Sequence, residues 1–333
     1  MQQQTKLRRA LLKTIVAGTA AFAMGGAAFA QDDNYPNRTV TIVLGFSAGG
    51  PTDVVARILA DKLSNKFGQT FVVDNKAGAS GTVAANYVKK AKPDGYTLML
   101  GSSSTLSIVP NLRKDVQYDP IKDFTAIALV ANYPYFLVTP GTSQFNSYDE
   151  LVEHGKSPSA QLTYASAGTG AVNHLAGEWF KSETKINATH IPYKGDSAAI
   201  SDLIAGRVDF AFLAGAAVLP HMETKRLKIL ASASSVPGRG GDNVLTIGED
   251  RIKGFSAEPW NGLMGPAGVP DSIVKKLNAA VNEAMQDPEV TAKLASMEQY
   301  AFTGTPQYFT DYIAEQTQRW AKIVADANIS VDK

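Results

Sequence analysis

The 333-residue chain carries 32 Lys and Arg against 31 Asp and Glu, a net charge of +1, with four His and no Cys. That balance offers no basic footprint for nucleic acid. Without Cys there are no disulfides, thiolate metal ligands or cysteine nucleophiles, and no two His stand at H-x-x-x-H spacing, so neither a metal nor a cofactor is expected.

Residues 1–30 carry only basic charge, at Lys6, Arg8, Arg9 and Lys13. An apolar run from Thr14 to Ala27 follows, then the small-residue pattern Ala28-Phe29-Ala30 before the polar Gln31-Asp32-Asp33. The run is short and rich in Gly and Ala, too little to span ~30 Å of hydrocarbon. Residues 1–30 are therefore expected to be a cleaved secretory signal peptide. Arg8-Arg9-Ala10-Leu11-Leu12-Lys13 resembles a twin-arginine signal, which leaves both the folded and the unfolded export routes open. Cleavage leaves 28 basic against 31 acidic residues, or −3. No later stretch is apolar for 18 residues, so the mature chain is expected to be soluble, and its length suggests two domains.

Thr39–Phe46 is β-branched and nearly continuous, as a buried parallel strand should be. A helix is expected from Thr52 to about Phe67, with Val55, Ile58, Leu59 and Leu63 on one face and Gly68 closing it. Phe71–Asp74 reads as a strand, Gly81–Lys90 as a helix, and Tyr96–Leu100 as a third strand after the turn Pro93-Asp94-Gly95. The rhythm returns after the capping box Ser147-Tyr148-Asp149-Glu150. Strands are expected at Leu162–Ala165, Thr189–Pro192, Val208–Leu213 and Lys228–Ala233, with helices at Ala171–Ser182 and Ser197–Ala205. Ser232–Asp242 is loop-like. Beyond Trp260 the chain reads as mostly helical, at Pro270–Met285, Glu289–Met297 and from Thr305-Pro306 to about Ala325. Alternating strands and helices imply two α/β lobes with parallel-type sheets flanked by helices. We place lobe 1 at 31–133 plus 256–333 and lobe 2 at 134–255. The chain then crosses twice between lobes, near Ala131–Pro134 and Glu258–Gly262, making a hinge and a cleft.

Three turns at strand carboxyl ends are small and polar: Gly45 to Asp53, Asn75 to Gly81, and Ser166 to His174. Open α/β sheets bind ligands at such ends, and small residues let backbone N–H groups and a helix N-terminus approach an anion. The hydroxyls of Ser102, Ser103, Ser104 and Thr105 add donors. No Arg stands in these loops. Asp53 suits a capping role at the first helix, and His174 either meets a ligand carboxylate or orients its own loop. Phe46, Tyr193, Phe212 and Trp260 are either cleft walls or core. Gly45-Phe46-Ser47-Ala48-Gly49 also matches the G-x-S-x-G nucleophile elbow, so the alternative is an exported serine hydrolase using Ser47. Against it, no strand precedes to supply an oxyanion loop, no H-G-G-G-like segment is present, and no His follows His221.

Several segments together carry a family resemblance: Phe46…Gly49-Gly50-Pro51-Thr52-Asp53…Ala56-Arg57, Val72-Val73-Asp74-Asn75…Gly78, Pro93-Asp94-Gly95-Tyr96-Thr97-Leu98, His174-Leu175-Ala176-Gly177-Glu178, Pro192-Tyr193-Lys194-Gly195, Asp202 to Asp209, and Gly265-Pro266-Ala267-Gly268-Val269-Pro270. In this order the chain resembles the periplasmic solute-binding receptors of tripartite tricarboxylate transporters, the Bug family. The resemblance implies a periplasmic-binding-protein (Venus-flytrap) fold, no catalysis, and a monomer that delivers a small carboxylate to inner-membrane permease subunits. Its ligand would be a di- or tricarboxylate, an amino acid or an aromatic dicarboxylate such as a phthalate. The implied ligand-binding residues are Phe46, Ser47, Ala48, Gly49, Gly50, Thr52 and Asp53 after the first strand, and Ser102, Ser104 and Thr105 after the third. In the second lobe they are Ser166, Gly168, Thr169, Gly170, His174 and Phe212. The chain departs from the family at Gly78-Ala79-Ser80-Gly81, which has one glycine fewer than is common, and at Ala171, where a small hydroxyl is frequent.

Overall fold

The computed structural model describes residues 34–236, 239, 244–327 and 329. The expected signal peptide lies outside the described residues, as does part of the 232–242 loop. Contacts separate a short unit ending at Asn37 from a body that begins at Arg38.

The body holds two sheets. Strands β1 (Val40–Leu44), β2 (Phe71–Asn75), β3 (Thr97–Ser102), β4 (Phe124–Asn132), β10 (Trp260–Pro266) and β11 (Tyr300–Ala301) form the first, in the order β11-β4-β10-β3-β1-β2. Strands β5 (Tyr135–Pro140), β6 (Leu162–Ser166), β7 (Ala188–Pro192), β8 (Phe210–Ala214) and β9 (Leu227–Ser232) form the second, in the order β7-β6-β8-β5-β9. Pairing is parallel for β1 with β2 and β3, and for β6 with β7 and β8, as the strand–helix alternation predicts. It is antiparallel where β10 meets β3 and β4, where β11 meets β4, and where β5 meets β8 and β9. The sheets are therefore mixed. The strands beside the inter-sheet crossings run against their neighbours because the chain arrives there from the other sheet.

The main helices are α1 (Pro51–Phe67), α2 (Thr82–Lys89), α3 (Tyr148–Gly155), α4 (Val172–Thr184), α5 (Asp196–Ile204), α6 (Asp271–Gln286), α7 (Pro288–Ala295) and α8 (Pro306–Asp326). Their ends follow local chemistry. Pro51 opens α1 and Gly68 closes it at φ +64, donating its N–H to Ser64 O. Ser147 accepts from Glu150 N–H at the start of α3, and Thr305 from Tyr308 N–H at the start of α8. Phe124–Asn132 and Tyr135–Pro140 are strands that the sequence reading did not assign, and Trp260–Pro266 reverses the expectation of a mostly helical region. This stretch belongs to the first sheet as β10, wedged between β3 and β4. Its glycines hide the strand signal, and they are there to admit neighbours: a Cβ on Gly262 would lie 2.1 Å from Phe309 Cζ.

The two crossings run side by side. Tyr133 N–H donates to Pro259 O and Tyr135 N–H to Ala257 O, both at 3.1 Å. A third element joins the sheets. Phe309 and Ile313 of α8 pack with Leu129, Trp260 and Met264 of the first sheet. Farther along α8, Trp320 is buried in the cluster of Phe210, Phe212 and Phe255. Arg319 Nη2 donates to Ser256 O at 2.9 Å. Among the described residues no helix is long and apolar enough to cross a membrane.

Candidate functional site

The loops at the carboxyl ends of the two sheets meet. Ser80 Oγ, after β2, donates to Thr169 O, after β6, at 2.8 Å. Val172 N–H, at the start of α4, donates to Ser104 Oγ, after β3, at 3.1 Å. Gly195, at φ +129, lies so near the first loop that a Cβ there would be 2.6 Å from Ser47 Oγ. These contacts describe a closed pair of lobes.

Between the lobes is a cavity lined by Phe46, Ser47, Gly50, Pro51, Thr52, Ser102, Ser104, Tyr133, Tyr135, Ala167, Asp196 and Pro259. Only about 20 Å³ of it admits the centre of a water, which is room for a water and not for a dicarboxylate. A ligand therefore needs the lobes to part or the walls to shift.

The first loop is built around Asp53. Its carboxylate accepts from Gly49 N–H at 3.0 Å, Arg57 at 2.8 and 2.9 Å, and Asn75 Nδ2 at 3.0 Å. Gly49 holds φ +80, a region that favours glycine, so its N–H turns toward this carboxylate. Burial raises the Asp53 pKa, but the bonds from Arg57, Gly49 and Asn75 outweigh it and hold the group below its usual range. Asp53 thus shapes the loop from behind. Thr52 faces the cavity, hydrogen-bonds Tyr133, and accepts from Asn261 Nδ2 at 3.1 Å.

The remaining sequence-derived residues divide. Phe46, Ser47, Gly50, Thr52, Ser102 and Ser104 line the cavity, whereas Ala48, Gly49 and Asp53 do not. Thr105 Oγ1 donates to Ser80 O at 3.0 Å and stands 3.1 Å from Ser102 Oγ. Ser166 Oγ lies 2.6 Å from His190 Nε2 and accepts from Gly168 N–H at 3.1 Å. Gly170 N–H donates to His174 Nδ1 at 3.1 Å, so His174 orients its own loop. The His174 and His190 rings stack at 4.0 Å. Burial pushes His174 down to about 4 and His190 to about 3, the latter also through His174, so both are neutral at ordinary pH. Phe212 is fully buried among Phe180 and Phe255 and belongs to the core of the second sheet. Gly168, Thr169 and Gly170 do not line the cavity, whereas their neighbour Ala167 does.

Beyond Pro51 and Ala167, which neighbour predicted residues, sequence reasoning missed Tyr133, Tyr135, Pro259 and Asp196. The first three sit on the crossings, whose convergence no local pattern reveals. Asp196 follows Gly195 at the first position of α5, where an acidic residue reads as an ordinary helix start. Ser47 Oγ and Asp196 Oδ2 are buried without a hydrogen-bond partner. The cavity lining includes no His, the usual partner of a serine nucleophile.

A model of the tripartite tricarboxylate transporter family receptor matches residues 55–329. The chain is 34% identical over 312 residues to protein BugT of Bordetella pertussis, covering 93% of this chain and 96% of that one. It superposes on Rpa4515 of R. palustris, solved with adipate, with a TM-score of 0.86 at 31% identity, covering 89% of this chain and 99% of that one. MatC of Rhodopseudomonas palustris, solved with bound malate, gives a TM-score of 0.82 at 31% identity and coverage of 87% and 100%. The chain belongs to the receptor family of the tripartite tricarboxylate transporters, whose members are solute-binding proteins and not enzymes.

Proposed function

We propose that this protein is a periplasmic receptor that closes its two lobes on a small carboxylate and hands it, as a monomer, to the membrane permease of a tripartite tricarboxylate-type transporter. The observation that carries this reading is the cavity between loops of both sheets, with the N-terminal turn of α1 in its wall. Gly50, Pro51 and Thr52 bring that helix end to the cavity, where its dipole favours an anion. The hydroxyls of Ser47, Ser102 and Ser104 supply neutral polar groups around it. Adipate and malate in the related structures support a carboxylate as the cargo. The basic, then apolar, then small-residue leader supports export to the periplasm. The lobe division at residues 134 and 255 and the ligand-binding roles of the loop residues belong to the same proposal.

The test is a thermal-shift panel of aliphatic, aromatic and amino-substituted carboxylates on the purified mature protein. A true ligand at 100 times its dissociation constant adds ~2.7 kcal/mol to stability. Gly50→Val is expected to abolish that gain by placing a branched side chain in the cavity wall. A panel in which no carboxylate raises the midpoint removes the proposal.

A further inference from the structure

The cavity wall contains one carboxylate, Asp196, and no Lys, Arg or His. The fold holds this carboxylate deliberately. Its Oδ1 accepts from Asn173 Nδ2 at 2.9 Å, and the Ala214 backbone N–H also bonds it. Asn173 is locked in turn, because its Oδ1 accepts from Ala167 N–H at 3.0 Å. Asp196 is 4% exposed, and its Oδ2 has no partner. A buried carboxylate oxygen without a donor is costly to maintain and calls for a partner in the functional state.

We propose that Asp196 recognises a cationic group, so that the captured ligand is a small amino acid with its carboxylate toward the N-terminus of α1 and its ammonium toward Asp196 Oδ2. This deepens the receptor reading and rests on it. A ligand with carboxylates at both ends would set like charges together at Asp196 or force a proton onto it. A hydroxyl there would satisfy the oxygen and leave the charge unpaired. An ammonium does both. Burial pushes the Asp196 carboxyl up to about 7, and a cation beside it returns the group to its charged form. Asp196 comes from the second sheet's side and α1 from the first, so a ligand held at both ends ties the lobes together.

The experiment is titration calorimetry at pH 8 with three matched pairs: aspartate and succinate, glutamate and glutarate, 6-aminohexanoate and adipate. The amino member of at least one pair is expected to bind about tenfold or more tighter than its unaminated partner. Asp196→Asn keeps the oxygen that accepts from Asn173 and is expected to erase that preference. Asp196→Ser serves as a second variant if the first does not fold. Equal or tighter binding of the unaminated partners overturns the inference and leaves the receptor reading standing, as does a preference that survives in the variants. Binding by neither member of any pair, with no response in the wider carboxylate panel, overturns both.

Discussion

Asp53 and Asp196 both stand in the first turn of a helix, and both are 4% exposed. Their surroundings separate them. Asp53 has a guanidinium at 2.8 Å and stays charged. Asp196 has two N–H donors and no cation, and burial lifts it from 3.8 to about 7. The groups facing it from the packed elements are Tyr133 and Tyr135, whose own pKa values burial drives up, and Asn173. A carboxyl whose folded pKa is raised binds its proton more tightly in the folded state. Its effect is to lower stability as pH rises from about 3.8 to about 7. The buried His pair acts in the opposite sense, losing stability as pH falls below 6.5. The Asp196 contribution is therefore read as a difference. Ligand-free Asp196→Asn is expected to gain stability relative to the parent protein between pH 5 and pH 8. Differential scanning calorimetry at the two values checks this, and an unchanged difference contradicts it.

Strand β10 shows how an element is decided by its partners. Trp-Asn-Gly-Leu-Met-Gly-Pro has two glycines and ends in proline, which is weak strand chemistry taken alone. It lies between β3 and β4, and Phe309 of α8 rests on Gly262 while Trp260 meets the same ring edge-on at 5.6 Å. The glycine is the price of bringing α8 onto the sheet. Gly262→Val is expected to destabilise the protein by about 2 kcal/mol or more through overpacking. Chemical denaturation measures the loss, and a cost below about 0.5 kcal/mol would mean α8 shifts freely on β10.

At the scale of the molecule, hydrogen bonds between the sheets' loops help hold the closed form. Two are the bonds from Ser80 to Thr169 and from Val172 to Ser104. Hydrogen bonds of this kind contribute about 1 kcal/mol each, and losing both shifts an open–closed equilibrium by roughly tenfold or more. The double variant Ser80→Ala, Ser104→Ala is expected to show a larger radius of gyration without ligand in small-angle X-ray scattering. A curve identical to that of the parent protein would show that these bonds do not hold the lobes shut. Helix α8 limits how far the lobes part, because Phe309 belongs to one core and Trp320 to the other.

Much of the fold was legible in the sequence because its signals are local. Helix α1 was expected to begin at Thr52 and begins at Pro51, and α8 was expected to end near Ala325 and ends at Asp326. Apolar periodicity, caps and turn residues act within a few positions and leave a readable trace. The glycine-rich loops were found for the same reason, and Phe46, Ser47, Gly50, Thr52, Ser102 and Ser104 do reach the cavity. Tertiary structure alone decided the rest. Phe212 turned inward because Phe180 and Phe255 surround it. Tyr133, Tyr135 and Pro259 reached the cavity because two crossings far apart in sequence run side by side. Asp196 became a buried, half-satisfied carboxylate only when Asn173 and the crossing tyrosines closed over it. Burial and an unmet hydrogen bond are properties of neighbours, and a linear sequence does not state who the neighbours are.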